Sequence, residues 1–564
     1  MISIKYPVSG KDFVNRVELL RNIHKIYPVD NVALVGPRRI GKSSVAEQFL
    51  KTLTQDNTVK FRFNVQRNIG TPGKFAMRLL RSFMFAYYEC LNIESDFATE
   101  DIVVNPRILM DISDHLKSKV FLNLSRFIIS YYPPSPENER EVLGRILKFI
   151  DDFSIEMGIK SAIVLDEFQE IVDLNKYKGF ENGNLLGFLE DIISRQKNTW
   201  YLFTGSAVRL MEDIIAGHAS PFLGRIIEFH VKPFNKEDTI QLVYKCTEKP
   251  ITSEALHFLF TLSKGHPFYT VILAGAASGN ASDFNIISKQ HVEEAFIAEL
   301  SAGALDIHCN YLFETSLSRL KGRGTFLMEI LRELSNGRAT LTELSKRLGR
   351  QTGYLSTYLR NLYTIDLIDK EKKAYYITDS VLTFWLKNIY GNEETDLQHV
   401  KEKIQENYKE YFASLSSEAG IFFESYLREM ISRFDGQYYQ DICLPKFDDV
   451  NGINMFDSNG DVFERPSNIE VDALCRGAKN WLFEFKYRKK SVGKKDIELL
   501  KRKRDFVENK LEIKIHKIVF IAKSSFSEYA LQSDVWCLTM QAINNLLSLL
   551  NMKKVSEIFK VNDL

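Results

Sequence analysis

Three features of the 564-residue sequence predict an α/β protein of several domains. An apolar strand, Val32–Val35, runs into the spacing G-x-x-x-x-G-K-S at Gly36–Ser43 and then into a helix-patterned stretch from Ser44 to Leu53. A second apolar strand, Ser161–Leu165, ends in Asp166 and Glu167. Far downstream, Asn468–Cys475 and Asn480–Tyr487 read as neighbouring strands of a different sheet. A chain of this length holds about three or four domains, each able to bury its own core.

The first feature is the phosphate-binding loop, made of Gly36, Pro37, Arg38, Arg39, Ile40, Gly41, Lys42, Ser43 and Ser44. Its glycines let the backbone turn with N–H groups aimed inward, Lys42 reaches the β- and γ-phosphates, and Ser43 holds Mg²⁺. Val45, Phe49 and Leu50 share one face of the following helix, whose N-terminus adds partial positive charge for an anion. ATP and Mg²⁺ are the cofactors this implies.

The acid-terminated strand belongs beside that loop. A strand buried in a parallel sheet delivers the residues at its carboxyl end to the ligand crevice. Asp166 is then placed to hold the Mg²⁺ hydration shell, and Glu167 to orient or deprotonate the attacking water. A further strand, Thr199–Phe203, ends in Thr204-Gly205-Ser206, where a hydroxyl senses a γ-phosphate or simply closes a turn. Arg225 either acts on a nucleotide, in its own subunit or in a neighbour within a homo-oligomer, or forms a local salt bridge. Arg16 and Glu18, on a short amphipathic helix opening at Phe13, are candidates for the base side or ordinary surface charges. Val59–Val65 alternates as a second strand, and Pro72–Asp152 is largely helical, broken by the prolines near 133–136.

Composition narrows the class. A formal net charge of +1 gives no global affinity for polyanions, and 45% apolar with 26% charged residues is ordinary for a soluble globular chain. No apolar run reaches the length of a membrane span and the first residues lack a signal pattern, so no membrane partner and a cytoplasmic location are expected. The six cysteines show no C-x-x-C spacing and the ten histidines no paired spacing, which leaves transition-metal chemistry and a disulfide framework without sequence support.

Taken together, Gly36–Ser43, Leu165–Glu167, Phe203–Ser206, Leu223–Arg225 and Gly265–Tyr269 resemble the archaeal-type ATPase family related to the STAND branch of AAA+ proteins, over about residues 1–300. The resemblance implies a P-loop AAA+-type core over 1–234, a helical lid over 235–305, and nucleotide contact by His266 and Pro267 in the G-x-P turn of that lid.

A compact unit follows within 306–392. Helical periods over Thr325–Leu334, Leu341–Leu348 and Gln351–Leu362 precede strand-like Leu367–Lys370 and Ala374–Thr378, and the set resembles a winged helix. Its third helix carries Gln351, Thr352, Tyr354, Ser356, Thr357, Tyr358 and Arg360, residue types that meet phosphates or base edges. Lys321–Lys373 holds 11 basic and 6 acidic residues, a net +5 that suits DNA, although such units also serve as spacers or protein contacts. Phe384 and Trp385 are expected in the core. Residues 393–410 form a polar linker helix with little to bury.

The last segment, 411–564, changes pattern. Along Asn480–Tyr487, Glu484 and Lys486 share one face while Trp481, Phe483, Phe485 and Tyr487 share the other. With Asp472 alongside, Asp-x₁₁-Glu-x-Lys gathers two carboxylates for Mg²⁺ and an ammonium beside a reacting phosphate. This resembles the PD-(D/E)xK fold, a restriction-endonuclease-like α/β domain, with Val471 in place of the proline. Glu424, on a helix over Glu418–Phe434, either matches the additional metal ligand of some branches or is a helix-surface acid, and Glu470 either shares the face of Asp472 or takes a solvated edge position. Lys486–Lys517 holds 13 basic and 5 acidic residues, including Lys501–Arg504, either a solvated face or a grip on a nucleic-acid backbone.

Two functions follow as expectations. One is an ATP-hydrolysing protein that couples nucleotide state to DNA binding and Mg²⁺-dependent DNA cleavage. The other is a nucleotide-controlled switch that binds DNA or a protein partner and whose C-terminal domain is not catalytic.

Overall fold

The computed structural model describes residues 6–54, 57–91, 106–131, 135–180, 184–247, 249–281, 286–318, 324–388, 419–439, 442–456, 468–486, 491–552 and 554–555. The N-terminal core is built on five parallel strands, β1 (Asn31–Val35), β2 (Thr58–Asn64), β3 (Lys160–Asp166), β4 (Thr199–Gly205) and β5 (Ile226–His230). They lie in the order β2-β3-β4-β1-β5. Both faces are covered: Ala33, Val35, Leu165 and Phe203 enter one apolar cluster, and Val32, Leu34, Val164 and Leu202 the other. That is why these strands read as unbroken apolar runs. Because β4 sits between β1 and β3, the loops after all three meet at one edge of the sheet.

Helix α1 (Lys42–Thr52) follows β1. Between β2 and β3 stand a one-turn helix, Val65–Asn68, and the longer α2 (Pro72–Cys90), α3 (Pro106–Leu116), α4 (Lys119–Tyr131) and α5 (Glu139–Met157). They pack through edge-on rings of Phe83, Phe121, Phe149 and Phe153. Most of the proline break expected near 133–136 lies outside the described residues. The first amphipathic helix runs Val17–Ile26 rather than from Phe13, since Asn15 and Arg16 both take left-handed backbone angles. β3 ends at Asp166; Glu167 turns left-handed, φ 56°, into a 3-10 helix over Phe168–Lys176.

After β4 come α6 (Val208–Ile215), β5, then α7 (Lys236–Cys246), β6 (Ile251–Thr252), α8 (Ser253–Ser263), α9 (Pro267–Asn280), α10 (Lys289–Ala302) and α11 (Ala304–Ser318). Asn235 and Thr252 cap α7 and α8 by accepting backbone N–H bonds from Asp238 and Ala255. Next are α12 (Gly324–Ser335), β7 (Ala339–Thr340), α13 (Leu341–Leu348), α14 (Thr352–Thr364), β8 (Ile368–Glu371), β9 (Ala374–Ile377) and α15 (Ser380–Asn388). The three strands pair antiparallel in the order β7-β9-β8, a small sheet against three helices. Residues 305 and 306 lie inside α11, and one continuous apolar cluster joins Leu259, Phe268 and Leu273 to Leu327, Leu359 and Trp385. Phe384 is partly buried against this cluster.

The expected linker, 393–410, lies outside the described residues. Beyond it are α16 (Ala419–Ser432), β10 (Asp449–Phe456), β11 (Asn468–Arg476), β12 (Asn480–Lys486), α17 (Lys494–Leu511), β13 (Ile515–Ala522), β14 (Trp536–Thr539) and α18 (Met540–Leu549). The sheet runs β14-β13-β12-β11-β10-β6, parallel across β12-β13-β14 and antiparallel elsewhere. Its last strand comes from another part of the chain: Thr252 and Ile251 pair with Ile453 and Asn454. Sequence periodicity missed β10 and could not reveal this partnership. Among the described residues no helix is long and apolar enough to cross a membrane.

Gly265 fixes how the lid meets the core. It takes φ +73°, its carbonyl accepts the Phe234 N–H at 2.8 Å, and a Cβ there would lie 1.9 Å from the Phe234 carbonyl oxygen. Gly265→Ala therefore combines left-handed strain with a backbone clash. It should cost about 2–3 kcal/mol, read as a lowered thermal midpoint, while Gly275→Ala, which meets nothing within 4 Å, should leave the midpoint within about a degree of the parent.

Candidate functional site

The ends of β1, β3 and β4 gather around one carboxylate. Asp166 is 3% exposed and would be costly to bury alone. Three polar groups come to it: Ser43 Oγ donates to both carboxylate oxygens at 3.1 Å, Arg62 Nη1 donates at 2.8 Å, and Thr204 Oγ1 donates a short bond. The expected set Ser43, Asp166 and Thr204 is thus brought together. Arg62 is an addition; the alternation of β2 carries Lys60 and Arg62 alike and singles out neither.

Glu167 sits one residue on, turned away from the strand by its left-handed angle. Its Oε2 accepts from Gln169 Nε2 and from Ser206 Oγ, both at 2.6 Å. Ser206 therefore holds the second acid, as Thr204 holds the first. Neither residue merely closes a turn.

Lys42 is buried, and its Nζ donates to the carbonyls of Gly36 and Pro37 at 2.7 and 2.8 Å. Burial lowers its pKa to about 8, against the opposing attraction of Glu167 and Asp166. Arg39 and Gly41 take positive φ within the loop, whereas Ile40 is fully buried and anchors it. Ser44 Oγ accepts the Val8 N–H at 3.2 Å, so it serves the N-terminal segment.

The lid reaches the same loop. His266 is 9% exposed, its Nε2 lies 3.1 Å from the Arg38 carbonyl, and its ring stacks on Tyr269 at 4.4 Å. Burial holds this imidazole well below the usual histidine range. Pro267 opens α9 at its first turn, where no N–H is needed. Tyr269 donates a short bond to Asp379, and Arg39 lies 4.0 Å over the Phe268 ring. A cavity of about 840 Å³ is bounded by Gly36, Arg38, Ser206, His230, His266 and Asp379, where core, lid and the 324–388 unit meet.

Two expected residues stand elsewhere. Arg225 is largely exposed and pairs with Glu190 at 2.7 Å, so within this chain the local salt bridge is what forms. Arg16 donates to the Lys232 carbonyl at 2.6 Å and lies 4.3 Å over the Phe234 ring, fastening the core to the lid, while Glu18 is exposed. Sequence reasoning missed Arg209. Its guanidinium bonds Asp366, Asp369 and the carbonyls of Tyr363 and Ile368, and lies 3.4 Å over the Tyr363 ring. Burial pushes the Asp366 carboxyl up to about 6, with Arg209 opposing.

On α14, Gln351, Thr352, Tyr354, Thr357 and Arg360 are exposed. Tyr358 is not available to a ligand; it is 5% exposed and hydrogen-bonded to Tyr354 at 2.6 Å, because its position falls on the packed face of the helix.

In the C-terminal sheet, Asp472, Glu484 and Lys486 do meet. Phe485 N–H donates to Asp472 Oδ2 at 2.5 Å, and Lys486 Nζ lies 2.7 Å from Glu484. Two expectations change. Glu484 is 2% exposed, since the parallel β12 is covered on both faces and Leu482 packs under α17 with Val507. Glu470 does not follow Asp472 by simple alternation, because pairing slips opposite Gly452 and leaves Val471 in the same apolar cluster as Leu474.

That slip has a use. A Cβ on Gly452 would stand 2.8 Å from Arg428 Nη1 and 3.0 Å from the Asp472 carbonyl, and Arg428 donates to that carbonyl at 2.7 Å. Arg428 also lies 3.8 Å from Glu424, which brings Glu424 to the edge of the cluster. Burial, then Glu484 and Glu424, push the Asp472 carboxyl well above the carboxylate range. Burial works against the Lys486 ammonium, but Glu484 and Asp472 outweigh it and raise its pKa.

Lys503, from the basic run on α17, donates to both Glu484 oxygens at 2.7 and 2.8 Å. Its neighbours are also engaged: Lys501 pairs with Asp534, and Arg504 with Asp505. Only part of the run therefore faces solvent, as Arg502 does.

No protein-family profile matches the chain. An uncharacterized protein of Methanocaldococcus jannaschii is 21% identical over 327 residues, 55% of this chain, which spans 64% of that relative's length. An uncharacterized HTH-type transcriptional regulator of the same organism is 23% identical over 417 residues, covering 70% of this chain and 92% of the relative. Among solved structures, the Walker-type ATPase of Pyrococcus abyssi aligns with a TM-score of 0.49 at 19% identity, over 68% of this chain and 99% of that one. The Aeropyrum pernix ORC2 protein in its ADPNP–ADP complexes aligns at 0.42 and 14%, over 73% and 98%.

The buried lysine gives a pH test. Phosphates arriving at Lys42 favour its charged form, so above pH of about 8 binding must take up a proton that the free protein lacks. Affinity for ATP, followed calorimetrically, should be flat below that pH and fall up to about tenfold per unit above it. Lys42→Met should lose both the affinity and the slope; a profile flat to pH of about 9.5 in the parent contradicts the assignment.

Proposed function

We propose that this chain is a P-loop ATPase that binds DNA and cuts it with Mg²⁺ through its C-terminal domain. The observation that carries the reading is the convergence of Asp472, Glu484 and Lys486, with Glu424 at the edge, on one sheet end. Asp472 and Glu484 are buried side by side, a costly placement for two carboxylates that a bound cation would relieve.

On the ATPase side, Ser43 and Asp166 supply hard oxygen donors fit for Mg²⁺, Lys42 neutralises phosphate charge, and Thr204 keeps Asp166 in place. Glu167, held by Gln169 and Ser206, orients the attacking water. His266 and Pro267 stand on the lid side of the loop, where Arg38 and Arg39 meet them through the Arg38 carbonyl and the Phe268 ring. Arg225 is exposed enough to serve a neighbouring copy in a homo-oligomer.

On the nuclease side, Asp472, Glu484 and Glu424 are an all-oxygen donor set of the kind Mg²⁺ prefers, and the mutual crowding of their charges is what a cation relieves. Bound there, Mg²⁺ supplies Lewis-acid polarisation of the phosphate and a more acidic water. Lys486 would hold the water whose oxygen forms the new P–O bond and stabilise negative charge on the phosphate as the P–O bond to the leaving group breaks; the water gives up its proton to solvent and the leaving oxygen takes one from solvent. The exposed face of α14, with Arg360 and Tyr354, and Arg502 on α17 offer contacts to a DNA backbone.

The second reading, a nucleotide-controlled switch contacting DNA or a protein, draws on one observation. Among the described residues these carboxylates do not converge within 4.8 Å, and Glu484 is fully occupied by Lys486 and Lys503.

A plasmid-nicking assay with Mg²⁺ or Mn²⁺, with and without ATP, separates the two. Asp472→Ala and Lys486→Ala should each lower cleavage by about a hundredfold or more while ATP hydrolysis persists. Cleavage surviving in Asp472→Ala removes the site, and no metal-dependent cleavage in the parent under any nucleotide favours the switch. In a parallel assay, Glu167→Gln should bind ATP normally yet turn it over about a hundredfold more slowly.

A further inference from the structure

A second cluster of donor groups lies beside the phosphate-loop cavity and takes no part in the chemistry above. β5 is an edge strand, and its alternation puts Glu228 and His230 on one face. Helix α6 presents Glu212 to that face, one turn after Arg209. His230 Nε2 lies 3.0 Å from Glu228 Oε1 and 3.8 Å from Glu212 Oε1. One donor atom from each of the three side chains falls within 4.8 Å of the others.

We infer that Glu212, Glu228 and His230 bind a divalent transition-metal ion, with Zn²⁺ as the ion whose preferred donors they match. Ligand atoms held about 2.0–2.2 Å from a tetrahedral ion stand about 3.3–3.6 Å apart, and the two measured separations bracket that spacing. An ordinary surface ion pair does not account for the arrangement. Glu228 Oε1 is shut off from solvent and makes no hydrogen bond, although the imidazole nitrogen is only 3.0 Å away. With the imidazole as its ion-pair partner among the described residues, that oxygen keeps acceptor capacity for a cation. Nor does a basic side chain fill the gap: among the described residues neither carboxylate ion-pairs with a lysine or arginine, and Arg209 is engaged by Asp366 and Asp369.

Glu212 and His230 also line the cavity shared with Gly36–Arg38, so an ion held here keeps its open coordination position toward that space. It would tie α6, which follows the strand end holding Asp166 and Glu167, to β5, which leads through Lys232–Phe234 into the lid.

The test uses the full chain stripped of metal and titrated with Zn²⁺ by calorimetry and with Co²⁺ by visible absorption. The expected result is one equivalent of Co²⁺ with the intense bands of tetrahedral coordination, lost in His230→Ala and in Glu228→Gln, and kept in Asp472→Ala and in Ser43→Ala. Zn²⁺ affinity should fall at least about tenfold in each of the first two variants. His230 is half exposed, so its replacement should leave the thermal midpoint of the metal-free protein unchanged; Glu212→Gln, also near the surface, gives the same loss by an independent substitution. The inference is overturned if Zn²⁺ binding and the Co²⁺ spectrum are the same in His230→Ala and Glu212→Gln as in the parent, or if the parent takes up neither ion.

Discussion

The carboxylate of Asp166 is the constraint on which the nucleotide end of the molecule depends. It is 3% exposed and held by groups from three separate segments: Ser43 after the phosphate loop, Arg62 on β2 and Thr204 at the end of β4. Leaving such a charge unpartnered costs about 3–5 kcal/mol, a large share of the net stability of a domain. The strand order is what makes the arrangement affordable, since β4 between β1 and β3 delivers Thr204 to a place neither neighbour reaches. Any ligand that draws Ser43 toward itself must replace a bond to Asp166, so occupancy at the loop is felt at once by β2, β3 and β4.

From that centre two lines run outward. Ser206 holds Glu167 and stands three residues before Arg209, whose guanidinium is fixed to Asp366, Asp369 and the end of α14. His266 lies against Arg38, stacks on Tyr269, and Tyr269 bonds Asp379. Both lines end on the 324–388 unit. The Arg209 contact is a cluster of charged and aromatic side chains between the core and that unit, whereas Tyr269 belongs to the continuous apolar cluster that the lid shares with it.

Much of this was legible in the chain itself. Gly36–Ser43, Asp166 and Thr204 were readable because strand–loop–helix order and apolar runs ending in polar residues leave a local signature. The periods over 325–378 marked three helices and two strands within a residue or two of their observed bounds. What escaped was non-local. Arg209 looked like any surface cation, and its partners lie about 160 residues away. Lys503 read as one member of a basic run, although it points into a buried carboxylate. Tyr358 was misjudged because the packed face of α14 depends on neighbours that sequence spacing does not reveal. Arg225 carried two readings, and local geometry took the simpler one.

The pairing of β6 with β10 bears on how the protein is made and dissected. Thr252 and Ile453 are joined across 201 positions of sequence, so this contact has one of the longer closures in the molecule and forms after both ends exist. During synthesis the lid emerges first and waits with Ile251–Thr252 bridged on one side to Ile287 and open on the other. Truncation before residue 449 would leave that edge exposed for good, while a fragment starting at residue 419 would leave β10 as a bare edge, the kind of surface that pairs with other chains. A cut drawn between sequence-contiguous domains therefore divides a sheet, and an exchange of C-terminal domains between relatives would succeed only where the recipient's lid carries a matching two-residue strand.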